Sequence, residues 1–289
     1  MYNALLPGAI GIKDLTLAET ITLAKDAGFQ GVNFDVREAK DLADEHGIAY
    51  VKALFDDAGI KAAGFGLPVN WQNDETRDAQ IAELPALAEV ALALGASNSL
   101  TGIMPGSNDR PYDEQYAWLL ERFRPVAEAA KAAGLQIGIE FISPKTLRNL
   151  FTYESIYSMQ QMLGFAKDAG TGNVGVLFDV WHHYTAHGTI DEIDNLKASD
   201  VLYVHVNDAP KGLEIDEQMD NRRAMPLETG VIDAPEMLRR LAKIGYTGPV
   251  ATEPFLVELS ELGARDPLAA AKQTAEATQK LLDVAGVAS

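Results

Sequence analysis

Four phrases of one type, DAGFQG, ALGAS, AAGLQ and KIGYTG, punctuate this chain after alanine-rich amphipathic stretches. Each supplies a glycine where a helix must end in a left-handed cap before an extended segment begins. Short apolar or β-branched runs lie at 8–12, 31–36, 61–69, 98–104, 136–142, 174–180, 201–207 and 249–255, the first being the weakest. Helical periodicity covers 17–27, 81–94, 116–133, 156–169, 235–244 and 267–284. Asp14 and Thr16 can cap the first helix and Gly28 can close it; Asp266-Pro267 can open the last. The repeat of about 35 residues is that of successive strand–helix units, and eight such units predict a (β/α)₈ TIM barrel, for which about 250 residues is typical. A doubly wound open sheet would carry a glycine-rich phosphate turn after its first strand. Gly8, Gly11 and the following KDLT make no such turn. No low-complexity linker interrupts the pattern, so residues 1–289 read as one barrel domain. The longest irregular stretch is 208–232, and a loop of that length in a compact domain is usually functional.

Composition narrows the partners. With 24 basic and 42 acidic residues the net charge is −18, which repels nucleic acid and anionic membranes. No apolar run approaches the roughly 20 residues of a membrane span. There is no cysteine, so disulfides and thiolate metal sites are excluded. The N-terminus MYNALLPGAIGIKD lacks the layout of a secretory signal. A cytoplasmic protein without nucleic-acid or membrane partners is expected.

Four polar residues stand at the ends of four successive apolar runs: Glu140 in QIGIEFI, Asp179 in VGVLFDV, His205 in VLYVHVND and Glu253 in PVATEPF. A charge in such a run is costly unless it is paired or binds a metal. Barrel closure brings the C-terminal strand ends to one mouth, where barrel enzymes place their reacting groups. Parity agrees: Gly138 with Glu140, Leu177 with Asp179, Tyr203 with His205 and Ala251 with Glu253 share faces. Three carboxylates and a neutral imidazole make a ligand set for one divalent cation. The oxygen-rich set favours Mn²⁺, Mg²⁺ or Co²⁺ over a structural Zn²⁺.

Near these strand ends lie candidate substrate contacts. His182 and Trp181 follow Asp179 in DVWHHY, and Lys145 and Arg148 follow strand 5 in SPKTLR. Arg222 and Arg223 lie in the long loop, and Trp71 follows strand 3. A cation at the mouth can neutralise a developing oxyanion.

These motifs resemble the sugar-phosphate isomerase/epimerase group of the xylose-isomerase-like barrels, which includes tagatose/psicose 3-epimerases and inosose isomerases and dehydratases. The resemblance spans nearly the whole chain. It is carried by GIEF, NVGVLFDVWHHY, YVHVNDAP, the R-x-x-P-x-E-T-G-V-I-D stretch from Arg223 to Asp233, and VATEPF. It implies that Glu140, Asp179, His205 and Glu253 hold one Mn²⁺-like ion and that Glu140 and Glu253 are catalytic, exchanging protons with substrate. It also implies that His182 and Arg223 contact substrate. Relatives often read P-G-x-G after that arginine; this chain has Leu227 in place of the first glycine.

The implied activity is metal-dependent isomerisation or epimerisation of a keto-sugar, sugar phosphate or inosose by proton abstraction next to a carbonyl through an enediolate. The alternative is a lyase or dehydratase on a keto-inositol, keto-sugar or 3-keto-glycoside using the same metal site. The expected partner is a small carbohydrate, with self-association into a homo-oligomer left open. An endonuclease-IV-like nuclease, also of this superfamily, would need more histidines than five and a basic face.

Overall fold

The structure of the protein, a computed structural model, describes residues 1–288. Eight parallel strands close into a barrel: β1 (Tyr2–Leu5), β2 (Gly31–Asn33), β3 (Lys61–Gly66), β4 (Asn98–Ile103), β5 (Gln136–Phe141), β6 (Val174–Asp179), β7 (Val201–Val206) and β8 (Pro249–Thr252). Each pairs with its sequence neighbours, and β8 returns to β1 through Asn3 opposite Val250. The glycines of the four recurring phrases, Gly28, Gly95, Gly134 and Gly245, all have left-handed backbones, with φ from 81° to 96°. Thr16 opens the first helix, Leu17–Ala27, with a reciprocal capping box: its hydroxyl accepts from the Glu19 amide and Glu19 accepts from the Thr16 amide at 2.9 Å. Asp14 lies outside this cap. Asp266 caps Pro267–Ala285 as the sequence suggests.

Two apolar layers result from strand alternation. Outward residues such as Ile139, Phe178, Val204 and Val250 pack under the helices with Phe123 and Phe165. Inward residues Ala4, Ala63, Leu177, Tyr203 and Ala251 fill the barrel. Tyr203 dominates that interior: it is fully buried, and its hydroxyl donates to Asn33 across the barrel. Gly64 makes room for it, since a Cβ there would stand 3.1 Å from the Tyr203 ring. Leu177, Tyr203 and Ala251 lie two residues before Asp179, His205 and Glu253. The apolar layer is thus the floor of the polar one.

The first strand is not where periodicity placed it. Residues 8–12 are no strand: Pro7–Ile10 form a 3₁₀ turn closed by Gly11 at φ 76°, and β1 is Tyr2–Leu5. The apolar residues Ile10 and Ile12 are buried, but against the helix Val257–Arg265 instead of in the sheet. That turn and helix approach very closely. A Cβ on Gly263 would lie 2.0 Å from the Ile10 carbonyl oxygen. The other strands end one to three residues earlier than the apolar runs do, because the chain turns into the mouth loops. Asp35, inside the run 31–36, already caps the helix Val36–His46. Two helices between β2 and β3, Val36–His46 and Ile48–Ala58, carry only two buried apolar residues each and so give a weak periodic signal.

Gly263→Ala should therefore force the helix off the turn. Overpacking of this kind costs about 1–3 kcal/mol, to be read as a lower midpoint in urea denaturation at unchanged slope.

Candidate metal and substrate site

Glu140 and Asp179 sit on the last turns of β5 and β6, His205 near the end of β7, and Glu253 one residue beyond β8. Glu253 still belongs to the ladder, its amide donating to the Val206 carbonyl at 3.1 Å. Register puts Asp179 opposite His205. The four side chains each offer one ligand atom, all within 4.8 Å of one another. His205 Nδ1 lies 3.1 Å from Glu140 Oε1 and 3.5 Å from Glu253 Oε2. Asp179 is fully buried and its two oxygens are differentiated. Oδ1 accepts from the Trp181 amide at 2.8 Å and the Asn207 amide group at 3.2 Å; Oδ2 faces the cluster. Three convergent, mostly buried carboxylates with one imidazole suit a hard divalent cation in donor type and in charge.

Arg223 reaches into this cluster. Its Nη1 donates to Asp179 Oδ2 at 2.8 Å and to Glu253 Oε2 at 3.0 Å. Its Nη2 and Nε bond to Asp220 Oδ1 and the Asp220 carbonyl. The guanidinium packs against the rings of Trp181 at 5.3 Å and Phe255 at 4.6 Å. Phe255 has φ 44°, so a left-handed backbone that disfavours a side chain is held where its ring meets Arg223.

His182 lies beside them, 99% buried, in the short helix Val180–Thr185. The Ser143 amide donates to its Nδ1 at 3.2 Å, and its Nε2 lies 3.3 Å from Arg223 Nη2 and 3.8 Å from Asp179 Oδ2. Burial pulls its pKa down to about 3, so the ring is neutral. Arg148 is buried and donates to the Ser143 carbonyl at 2.9 Å, steadying the loop that presents this amide.

The two glutamates are driven apart. Burial, then the Glu253 charge, pushes Glu140 up to about 7. Burial also opposes ionisation of Glu253, but His205 and then Arg223 outweigh it and hold Glu253 at about 2.

The remaining sequence candidates are not members of the Glu-Asp-His-Glu cluster. Trp181 is fully buried, with Arg223 over its face. Trp71 is buried too, its N–H donating to Thr101 at 3.2 Å and its ring edge-on to Phe123. Lys145 is half exposed and its ammonium is held by Asp216 at 2.9 Å, which also binds His187 at 2.8 Å. This trio ties the long loop to the loops after β5 and β6.

Two residues of the site gave little signal in the sequence. Asn207 positions Asp179 as described. Asp208, buried, anchors the long loop: its carboxylate accepts from the amides of Ala209, Thr229, Gly230, Val231 and Ile232 at 2.6–3.2 Å. No spacing rule links Asp208 to amides more than twenty residues away; only the VND tripeptide, with polar residues directly after a buried strand, hints at it. Leu227 within the anchored stretch has φ 66°, a left-handed conformation that suits glycine better than a residue with a side chain.

A parallel eight-stranded barrel with a Glu-Asp-His-Glu cluster at the C-terminal mouth defines a class of protein, and the comparisons place the chain within it. The chain belongs to the xylose isomerase-like TIM barrel family, whose model matches residues 21–281. It is 23% identical over 278 residues to the inosose isomerase of Bacillus velezensis, covering 93% of this chain and 94% of that one. It is 24% identical over 250 residues to the L-ribulose 3-epimerase of Mesorhizobium japonicum, covering 84% and 77%. The solved structure of a xylose isomerase domain protein from Alicyclobacillus acidocaldarius superposes with a TM-score of 0.84 at 28% identity, covering 99% of both chains. No helix among the described residues is long and apolar enough to cross a membrane.

Two outcomes follow. Glu140 has a folded pKa of about 7 against an ordinary value of 4.5. A raised carboxyl contributes stability that is full below the ordinary value and lost as pH rises through the folded one. Metal-free protein should therefore lose stability between pH 4.5 and about 7, and Glu140→Gln should flatten that slope in urea titrations at several pH values. Asp208→Ala strands five amides, each worth about 1 kcal/mol or more when left unpaired. It should lower stability by about 5 kcal/mol or more and open residues 208–232 to limited proteolysis.

Proposed function

We propose that this protein is a divalent-metal-dependent isomerase or epimerase of a keto-sugar or inosose, acting by proton transfer next to a carbonyl. One observation carries the reading. Glu140 and Glu253, from β5 and the end of β8, reach the same imidazole nitrogen at 3.1 and 3.5 Å, so two bases flank one small space. The relatives named inosose isomerase and L-ribulose 3-epimerase support it.

Glu140, Asp179, His205 and Glu253 would hold the ion, Mn²⁺ being the first choice for an oxygen-rich set. When bound, it supplies Lewis-acid polarisation of a carbonyl and stabilisation of the enediolate. The chain's own groups do the rest. One glutamate takes the proton from one face of the substrate carbon. The other returns a proton to the opposite face, which inverts that carbon. His182 contacts a substrate oxygen, its ring held in place by the Ser143 amide. Arg223, fixed beside Asp179 and Glu253, offsets the negative charge that develops on the substrate. The Asp208-anchored loop keeps Arg223 in place and helps exclude water from the site.

Glu140→Gln and Glu253→Gln should each slow epimerisation by roughly 10²–10⁴, the worth of a general base. A metal-loaded single variant should still exchange substrate hydrogen with deuterated water on one face only. Free and phosphorylated ketoses and inososes, supplied with Mn²⁺ and followed by NMR, are the substrates to try. Near wild-type epimerisation by a metal-loaded variant would overturn the two-base reading.

A further inference from the structure

We infer that Arg223 is a built-in counter-cation: by sharing two of the ligand oxygens, it loosens the hold of the Glu140–Asp179–His205–Glu253 cluster on a divalent ion. The inference rests on the proposed function only in requiring that a divalent ion binds there.

The oxygens are identified by elimination. Asp179 Oδ1 is occupied by the Trp181 amide and Asn207, so Oδ2 is the oxygen that Asp179 has left for an ion. Arg223 Nη1 is bonded to that same Oδ2, and also to Glu253 Oε2, the oxygen that faces His205. The guanidinium and an ion would therefore draw on the same electron pairs and repel one another across a few ångströms.

An arginine on a mobile surface loop would swing into water and relieve this. Arg223 has no such path. It is 98% buried, its Nε and Nη2 are tied to Asp220, and the rings of Trp181 and Phe255 pack against its guanidinium. The loop around it is fastened by Asp208, with the Ala224 amide and carbonyl bridging to the Asp208 backbone. Arginine cannot shed its charge in a protein.

The charge count points the same way. Three carboxylates and a neutral imidazole leave −1 around a dication, and Arg223 brings the set to zero. Without the arginine, two of the carboxylates would give their full charge to the ion. With it, they donate less, the ion dissociates more readily, and it stays more electron-poor toward a substrate oxygen.

A purely orienting arginine would do the reverse, since losing it would free Asp179 and Glu253 to move and weaken binding. The sign of the change separates the two. Metal-stripped wild type, Arg223→Gln and Arg223→Lys would be titrated with Mn²⁺ by calorimetry, with free Mn²⁺ counted by its EPR signal. A full charge removed beside a dication in a poorly screened site should tighten Arg223→Gln by about tenfold or more. Arg223→Lys keeps the charge and should stay within a few-fold of wild type.

Saturating Mn²⁺ should also raise the melting temperature of Arg223→Gln more than that of wild type. Should Arg223→Gln fail to fold without metal, Arg223→Lys decides: wild-type-like affinity supports the counter-cation, and a large loss of affinity overturns it. Equal or weaker binding by a folded Arg223→Gln overturns the inference and leaves the proposed function standing. Absence of Mn²⁺ binding by the wild type overturns both.

Discussion

Three carboxylates converging in a buried space cannot all ionise without positive charge beside them. Glu140, Asp179 and Glu253 are in that position, and the architecture of the mouth answers it. His205 stands between the two glutamates, and Arg223 between Asp179 and Glu253. His205 enters by the inward parity of its own strand, and Arg223 reaches in from the long loop after it. Breaking such an arrangement by removing one partner leaves a buried charge uncompensated, which costs more than the intact pairing contributes. The same constraint makes the cluster suited to a divalent ion: positive charge is what it lacks.

The barrel provides the convergence through parity. Residues two apart on a strand share a face, so Leu177, Tyr203 and Ala251 fix the inward direction that Asp179, His205 and Glu253 then follow. Tyr203 carries much of this. Its ring fills the interior, lies edge-on to His205 at 5.5 Å, and is tethered to Asn33 on the far wall. Packing energy in the floor is thereby converted into angular precision in the ligand layer.

Around the mouth the backbone is bent into conformations that side chains resist. Asp14, His187, Leu227 and Phe255 are the described non-glycine residues with positive φ, and all lie in loops that follow the C-terminal ends of strands. Phe255 uses the conformation to meet Arg223, and Leu227 is held by the amide network on Asp208. Strain of this sort persists only where neighbouring contacts over-determine it. Here those contacts are the ones that hold the arginine loop.

Periodic signals were legible from the sequence. Alternation in the strands, glycine at the helix caps and a lone charge ending each of four apolar runs are local properties, and from them the barrel and the four residues that cluster at its mouth could be named. Where the local signal was ambiguous the reading slipped. Residues 8–12 look extended but form a turn, because burial of Ile10 and Ile12 against the helix Val257–Arg265 satisfies the same hydrophobicity. Trp71 and Arg148 follow strand ends in the sequence, where exposure is expected, yet both are buried in packing and hydrogen bonds. The roles of Asn207, Asp208 and Arg223 required the tertiary structure. The motif from Arg223 to Asp233 marks this arginine as a substrate contact by resemblance, but an arginine in a long loop is compatible with several partners at the mouth, and the chain does not name them. The choice is made by a carboxylate at the end of another strand and by five amides on the far side of the loop, contacts that exist only after the barrel has closed.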